Sequence, residues 1–369
     1  MKKVSLFLTL ALLVSMLAGC AGTPVVYYTD CTCPVGSHEV SVQETVPAAP
    51  APEATEAPAA EGALKTGLHI AASVSDSKSA TAEANGEAKY DVTMVAVLVD
   101  DNGVIQDCII DGISSSVQFD AYGSLKTHVD EETVLTKNEL GENYGMVAWG
   151  GAIAEWDAQA AALAAYAVGK TVEELRNGAI DETGKAPAGS DLASSATIYL
   201  GGYVSAIEAA VANAQHLGAQ AGDSLKLATI TGIDGSKSAD GENAGNAQLD
   251  ATVTALTMNG DVISSCVIDS VQAKVAFDAG GAVTSDISAP VATKNELGEK
   301  YGMVAWGGAI AEWDAQTASF AAYVTGKTPA EVSGIAVDEG TKPTDADLTG
   351  SVTIAIGGFQ ALIAKAVQK

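Results

Sequence analysis

The chain has few cationic residues, and arginine is almost absent. Its 369 residues include 19 lysines and arginines against 46 aspartates and glutamates, which gives a formal charge of −27 at pH 7. Arg176 is the only arginine. A chain this acidic repels phosphate backbones and anionic lipid headgroups. The composition therefore predicts no nucleic-acid partner, and it is typical of an acidic extracytoplasmic surface.

The chain also lacks the sequence motifs of common hydrolases and zinc enzymes. No GxSxG and no HExxH occurs, and the four histidines have no equivalents in the internal repeat described below. The GKT at 169–171 matches the end of a phosphate-binding loop, but Ala164 stands where that motif begins with glycine. The segment also follows a predicted helix, whereas a phosphate-binding loop follows a strand. A nucleotide-hydrolysing site is excluded.

Cysteine is scarce, with five in the chain. Cys31 and Cys33 form an isolated CxC pair without a second pair, and we interpret them as having no function. Cys108 and Cys266 occupy matching positions in two predicted strands, which predicts buried thiols in the core. The fifth cysteine, Cys20, lies at the end of the N-terminal apolar segment.

The N-terminus is typical of a bacterial lipoprotein leader. Lys2 and Lys3 precede an apolar stretch at 6–16 that is too short to span a bilayer, and Leu-Ala-Gly-Cys follows at 17–20. This pattern predicts a signal peptide at 1–19 and lipid attachment at Cys20. No later apolar run is long enough to cross a membrane. We therefore expect a protein anchored by lipid to the extracytoplasmic face of a bacterial cell membrane.

The region after the anchor is rich in proline, alanine and glutamate. Residues 20–65 include the stretch PAAPAPEATEAPAAEG, which cannot bury a core and predicts an extended tether. The remaining sequence divides into two similar parts. We predict a first domain at 66–216, a linker at 217–226 and a second domain at 227–369.

A long internal repeat organises these two parts. Residues 136–159 return at 293–316 with one difference, Asn143 against Lys300, and all four tryptophans lie inside the two copies. The rest of each part keeps the same order of elements at an offset of 156–158 residues. Solenoid repeats are only roughly 20–50 residues long, so this period predicts a duplicated domain.

The repeated elements indicate an α+β fold. Alternating segments around Asn-Gly turns predict β-hairpins, which we assign to 90–99 with 104–110 and to 250–257 with 262–268. Apolar residues at helical spacing then predict a helix in each part: Ile153, Trp156, Ala160, Leu163 and Ala167, with Ile310, Trp313, Thr317, Phe320 and Val324 as their equivalents. Capping boxes begin a short next helix at Thr171 and Thr328. We expect two tandem α+β domains, each an antiparallel sheet with helices packed on it.

Each part ends in an Asp-rich and hydroxyl-rich segment before an apolar helix. The segments are DLASSAT at 191–197 and DLTGSVT at 347–353. Hydroxyl residues before a helix can cap it, which is common, or can help its free N–H groups bind an anion. The residues alone favour capping and leave anion binding open.

These segments resemble the D-x-x-[Ser/Thr]-Gly-Ala-[Ser/Thr] motif of the FMN-binding domain family. That family includes flavin-bearing subunits of the Rnf and sodium-pumping NADH:quinone reductase complexes and many extracytoplasmic lipoproteins. In it, a flavin transferase joins FMN through its phosphate to the last hydroxyl of the motif. The resemblance implies attachment at Thr197, with Thr353 as the second position. It also implies cofactor contacts from further motif residues: Asp191, Ser194, Ser195, Asp347 and Ser351.

The resemblance extends beyond the motif. The hairpin VAVLVDDNGVIQDCII resembles the VTVKDGKI type of that family, and a loop resembling its ETPGLG segment precedes a tryptophan and a Gly-Lys in both parts. Carried over, the loop contributes cofactor-binding residues in each part: Glu139, Leu140 and Gly141, with Glu296, Leu297 and Gly298. The chain departs from the motif at Ser195, where the family has glycine, and at Gly350, Ser351 and Val352. Thr197 is therefore the first candidate for attachment.

The resemblance implies an extracytoplasmic electron carrier with FMN, whose redox partners the sequence does not identify. Trp156 lies on the predicted apolar stripe and is expected in the core, whereas Trp149 lies in a glycine-rich loop and can contact either core or ligand. The alternative is a surface lipoprotein that uses the same fold to bind a ligand or partner without redox chemistry. Two observations favour this alternative: the departures from the motif, and the near absence of arginine side chains that could bind the phosphate of FMN.

Overall fold

A computed structural model describes residues 62–130 and 134–368. The predicted signal peptide, Cys20, Cys31, Cys33 and nearly all of the tether lie outside the described residues. Within the described residues, no helix is both long and apolar enough to cross a membrane.

The structure is a mixed α+β fold with two three-stranded antiparallel sheets. Their strand orders are β1-β2-β3 and β4-β5-β6, so β1 and β4 are edge strands. The strands are β1 Lys65–Ser73, β2 Gly86–Val99, β3 Ile105–Phe119, β4 Ser224–Gly232, β5 Gly245–Asn259 and β6 Val262–Phe277. The predicted hairpins are confirmed and their strands are longer than expected. The sequence analysis missed β1 and β4.

Local turn chemistry explains the first hairpin. The Asp100 carboxylate accepts hydrogen bonds from the backbone N–H groups of Asn102 and Val104, both at 2.9 Å. Gly103 has a positive φ of 78°, which glycine adopts without the steric cost of a side chain. The turn therefore brings β2 and β3 together by contacts among neighbouring residues.

The helices follow the same order in the two halves. In the first half they are α1 Lys137–Leu140, α2 Met146–Gly150, α3 Trp156–Ala167, α4 Val172–Ala179 and α5 Gly201–Ala212. In the second half they are α6 Lys294–Leu297, α7 Met303–Gly307, α8 Trp313–Val324, α9 Pro329–Ser333, α10 Ala346–Thr349 and α11 Gly357–Val367. Short 3₁₀ helices lie at Gly141–Tyr144, Leu192–Ser194 and Gly298–Tyr301. The capping boxes predicted at Thr171 and Thr328 are confirmed.

The predicted helix that contains Trp156 starts later than expected. Ile153 and Ile310 were assigned to its apolar stripe, but each is 56% exposed and precedes the helix, so this assignment is wrong. The physical reason is the residue before the helix. Glu155 has extended backbone angles and its carboxylate accepts the N–H groups of Met146 and Val147, so it ends the preceding loop.

The two sheets share a core between them. Phe119 and Phe277, one from each sheet, are fully buried and stack with ring centroids 4.0 Å apart and an interplanar angle of 1°. Along β2, Met94 faces this shared core, whereas Val95 on the opposite face packs against the helices of the first half. The second half has its own helix-side core. The chain therefore forms layers in the order helices, sheet, sheet, helices.

Two boundaries between the sheets position the features described below. The first seam lies between β1 and β6, where the Thr66 and Ser265 hydroxyls form a buried hydrogen bond of 2.6 Å. The second seam lies between β3 and β4. The predicted linker at 217–226 includes the start of β4, and its Ala219 is buried in the shared core. The division into two tandem domains stays a prediction.

Candidate functional site

The last hydroxyl of the first motif lies in an exposed loop before α5. Gln159, fully buried on α3, accepts three hydrogen bonds there through its Oε1 atom. The donors are the Thr197 N–H at 2.8 Å, the Thr197 hydroxyl at 3.2 Å and the Ile198 N–H at 3.2 Å. The Gln159 amide is oriented by its own donation to the Ala154 carbonyl at 2.7 Å. Three donors thus converge on one acceptor oxygen, an arrangement that also suits a phosphate oxygen.

The second motif repeats this contact. Gln316 Oε1 accepts from the Thr353 N–H at 2.8 Å and from the Thr353 hydroxyl at 3.2 Å. Thr353 is half-buried, whereas Thr197 is exposed. The hydroxyl of the first motif is therefore the more accessible of the two.

The other motif residues support their own turns. The Ser194 hydroxyl donates to the Asp191 carbonyl at 2.7 Å, and the Ser195 hydroxyl donates to the Leu192 carbonyl at 3.2 Å. In the second motif, Ser351 donates to the Leu348 carbonyl at 3.3 Å and Asp347 lies in the first turn of α10. None of these residues caps α5 or α11, because the N-cap residues are Leu200 and Ile356. The favoured expectation of hydroxyl capping at these helices is wrong.

The repeated loop begins with a capping box and a half-buried lysine. Thr136 accepts from the Glu139 N–H, and Glu139 accepts in return from the Thr136 N–H. The Lys137 ammonium lies 4.9 Å from the ring centroid of Trp156 and 5.4 Å from that of Tyr144. Burial lowers the pKa of Lys137. The Trp156 indole N–H donates to the Tyr203 hydroxyl at 3.0 Å, and the prediction of Trp156 in the core is confirmed.

The same arrangement occurs in the second half. Lys294 lies 4.8 Å from the Trp313 ring centroid and 5.1 Å from that of Tyr301. Phe359 takes the position of Tyr203 and packs edge-on against Trp313. The near-identity of the two copies therefore corresponds to a shared Lys–Tyr–Trp cluster that holds the loop against the sheet.

The tip of each loop presents a tryptophan to solvent. Trp149 is 91% exposed and Trp306 is 89% exposed. Below them, each loop is fastened by one glutamate. Glu155 accepts from the Met146 N–H at 2.8 Å and the Val147 N–H at 3.0 Å, and Glu312 makes the same two bonds in the second copy. Of the two alternatives for Trp149, the core is excluded.

Removing the glutamate anchor tests this account of the loop. We expect Glu155→Ala to free two backbone donors and to cost about 1–3 kcal/mol of stability, with faster hydrogen exchange at Met146 and Val147. Hydrogen exchange read by mass spectrometry on peptides from both loops provides the measurement. The unchanged loop around Glu312 serves as the internal control, because its sequence is the same. Equal protection of the two loops in the variant would contradict the account.

A cavity of about 710 Å³ opens at the first seam, between β1 and α5 of the first half and β6, α6 and α8 of the second. Its polar lining includes three carboxylates and one histidine: Asp269, Glu296, Asp314 and His69. No lysine or arginine is among the described residues that line it. Its volume lies in the range of small-molecule sites, and its charge favours a cationic ligand.

Burial shifts the pKa of three residues that line the cavity. Burial raises the pKa of Asp269 to about 6. Hydrogen bonds to its carboxylate from the Ser270 N–H at 2.7 Å and the Asn295 N–H at 3.1 Å act in the opposite direction and lower the pKa. Burial lowers the pKa of His69, and the charge of Glu296 opposes that shift. It also raises the pKa of Cys266 to about 12, so this thiol stays protonated and is no nucleophile. Cys266 and Cys108 are buried, as predicted.

The predicted flavin-contacting residues are distributed between separate regions. Glu296 lines the cavity, but Leu297, Gly298 and Thr353 are not part of its described lining. Glu139 lies at the second seam, where its carboxylate pairs with Lys365 at 2.6 Å. Leu140 is the last residue of α1, and Gly141 follows it with a φ of 49°. Thr197 instead hydrogen bonds to Gln159 on α3.

Sequence reasoning missed the cavity because its walls come from opposite halves of the chain. His69 lies on β1, which carried no recognised strand signal, and Asp314 lies on α8 beside Trp313. Of the residues that line the cavity, only Glu296 was predicted to bind a ligand, and the predicted ligand was FMN. In the described residues, no cluster of His, Cys, Asp and Glu side chains is suited to hold a metal ion. No family model, curated protein or solved structure matches this chain.

Proposed function

We propose that this protein is an extracytoplasmic electron carrier, anchored to the bacterial membrane through lipid on Cys20, with FMN attached at Thr197. We propose further that its two halves are duplicated FMN-binding domains. FMN supplies the one- and two-electron chemistry, and the protein holds and tunes it. The electron donor and acceptor are redox partners outside this chain. Covalent attachment suits this location, because a dissociated cofactor is lost to the medium.

The observation that carries the proposal is the exposed Thr197 hydroxyl among converging donors. The Thr197 and Ile198 N–H groups and the hydroxyl all point at Gln159 Oε1. If the Gln159 side chain turns away, the two N–H groups remain to bind phosphate oxygens beside the hydroxyl that is esterified. The residues of the motif therefore fit a phosphoester. Solvent exposure gives a flavin transferase access to the hydroxyl.

Thr353 is the second attachment position in this proposal. It makes the same contact with Gln316, but Val352 precedes it, where the first motif has Ala196, and Thr353 is half-buried. We expect lower occupancy at Thr353 than at Thr197, since its hydroxyl is less accessible.

Intact mass and in-gel fluorescence of the denatured protein, co-produced with a flavin transferase, test the proposal. We expect an added mass of one FMN and a fluorescent band that Thr197→Ala abolishes. Thr197→Ser retains a hydroxyl and should restore modification, which separates loss of the attachment atom from misfolding. Thr353→Ala reports any second attachment. An unmodified wild-type mass, with the transferase active on a known substrate, would refute covalent attachment.

A second candidate function is the binding of a ligand or partner without redox chemistry. The observation that favours it is the lining of the cavity, where three carboxylates stand without a lysine or arginine among the described lining residues. Such a cavity repels the phosphate of FMN. If the mass of the protein is unmodified, titration with FMN separates a flavoprotein with noncovalent FMN from this second candidate, because only the flavoprotein should bind it.

A further inference from the structure

The two seams of the molecule are equivalent in position but differ in how they are filled. At the second seam, Lys365 of α11 enters between the two halves. Its ammonium pairs with the Glu139 carboxylate at 2.6 Å and donates to the Thr229 carbonyl on β4 at 2.8 Å. The Glu139 side chain is only 14% exposed as a result. The second seam therefore contains an alkyl ammonium group supplied by the chain itself.

At the first seam, the equivalents of both acceptors line the open cavity. Glu296 matches Glu139, because both are the third residue of the repeated helix KNEL. Ile70 matches Thr229, because each is the sixth residue of its edge strand and pairs with an equivalent residue of the central strand. Glu296 and Ile70 are both among the cavity residues.

The lysine has no counterpart at the first seam. Aligning LGGYVSAIEAAV of α5 with IGGFQALIAKAV of α11 matches Lys365 with Ala209. Ala209 shares its helix face with Ala212 and Asn213, three and four residues later, and these two line the cavity. The methyl group of Ala209 is too short to reach across the seam. The cavity therefore lies where a lysine side chain lies at the other seam.

The acceptors left at the first seam favour a cation. The Glu296 carboxylate accepts through Oε2 from the Thr293 N–H at 2.9 Å, and among the described residues it forms no salt bridge. Asp314 Oδ1 is buried and has no hydrogen-bond partner in the described part of the chain. Ile70 belongs to an edge strand, in which alternate backbone groups face away from the sheet. Carboxylates held in a concave site without a cation are unfavourable until one binds.

We propose that the first-seam cavity binds a small aliphatic amine, with one ammonium group between the Glu296 carboxylate and the Ile70 carbonyl. The methylene chain then packs against the apolar lining from Leu68 and Ala321. The cavity is larger than a lysine side chain needs, and Asp314 provides a carboxylate for a second ammonium. The ligand class is therefore the aliphatic diamines. This site depends on the seam alone and is independent of flavin attachment at Thr197.

Isothermal titration of the full-length protein in detergent with 1,5-diaminopentane tests the proposal. We expect one molecule bound per chain, weaker binding of butylamine, and no binding of 1-butanol, which lacks the charge. Butanol binding as tight as butylamine would show an apolar pocket only and would overturn the proposal. Absence of diamine binding to the folded protein would also overturn it, whatever the flavin content.

Three variants locate the bound amine. Glu296→Gln should weaken diamine binding about tenfold or more, because it removes the charged acceptor. Glu139→Gln makes the same change in the identical sequence at the other seam and should leave the affinity unchanged. Ala209→Lys should fill the cavity with an internal ammonium and abolish binding in a folded protein, as judged by circular dichroism. Two results would show that the diamine binds outside the first-seam cavity. One is an equal loss of diamine affinity in the two glutamine variants, and the other is unchanged diamine affinity in folded Ala209→Lys.

Discussion

Phe119→Ala is expected to lower the free energy of unfolding by about 3–5 kcal/mol. The ring is fully buried between the two sheets and stacks on Phe277 at a centroid distance of 4.0 Å. Its removal loses the transfer free energy of the ring and leaves a void in the shared core. Neighbouring backbone cannot fill that void easily, because both partners are held in strand ladders.

Glycines opposite the rings indicate how closely this core is packed. A Cβ atom added at Gly86 would meet the Phe119 ring, and one added at Gly245 would meet the Phe277 ring. These two glycines are required by close approach, since each strand passes directly over an aromatic face. Gly86 pairs with Phe119 and Gly245 pairs with Phe277, so each of these pairs joins two strands of the same half. The stacked rings of Phe119 and Phe277, in contrast, join the two halves.

Urea unfolding of Phe119→Ala, Phe277→Ala and the double variant provides the measurement. We expect the double variant to lose less than the sum of the single losses, because the two rings share one cavity. Tyr122→Ala removes an aromatic ring that is 81% exposed and should change stability by less than about 0.5 kcal/mol. Fully additive losses would mean that the two halves do not share this core.

Asp269→Asn is expected to stabilise the protein at pH 8 and to have little effect near pH 4. Burial raises the pKa of Asp269 from 3.8 to about 6 in the folded state. The folded protein therefore holds this proton more tightly than the unfolded chain. Stability from this group is present at low pH and is lost as the pH rises from about 4 to 6. Asparagine removes that loss.

The expected gain at pH 8 is about 2–3 kcal/mol, since one pKa unit corresponds to about 1.4 kcal/mol. The amide oxygen of asparagine can still accept from the Ser270 and Asn295 N–H groups. Urea unfolding at pH 4 and pH 8 measures the difference. Glu339→Gln, an equal charge change at an exposed position, is the control. A gain of the same size at both pH values would show that burial of the charge is not its cause.

Features that depend on neighbouring residues could be predicted from the sequence. The Asp100 turn and the Thr171 and Thr328 capping boxes involve residues two to four positions apart, so their signals lie within short stretches. Trp156 and Trp313 were identified as core residues by helical spacing. The same criterion assigned Ile153 to the helix wrongly. The carboxylate of Glu155 ends the preceding loop, and the helix starts only after that residue.

The candidate sites differ in the same way. The motif around Thr197 is a continuous segment, so its position was evident, but its contact with Gln159 joins residues 38 positions apart. The cavity is lined by residues of β1, the end of α5, β6 and α8, and no single segment of the sequence predicts it. Asp269 lies one residue after the predicted strand at 262–268, and its raised pKa follows from burial, which the sequence alone does not show.

The sequence by itself determined the acidic charge, the internal repeat, the hairpins and the helix caps, because composition and short-range contacts suffice for them. Only the tertiary structure decided that the two sheets share a core and that their seams are filled differently. Lys365 meets Glu139 across 226 residues, whereas the first half has Ala209 at the position that matches Lys365. The Lys–Ala difference is one of several between the two helices. Its effect becomes evident only when packing brings distant segments together, since the energy of an ion pair depends on distance in space.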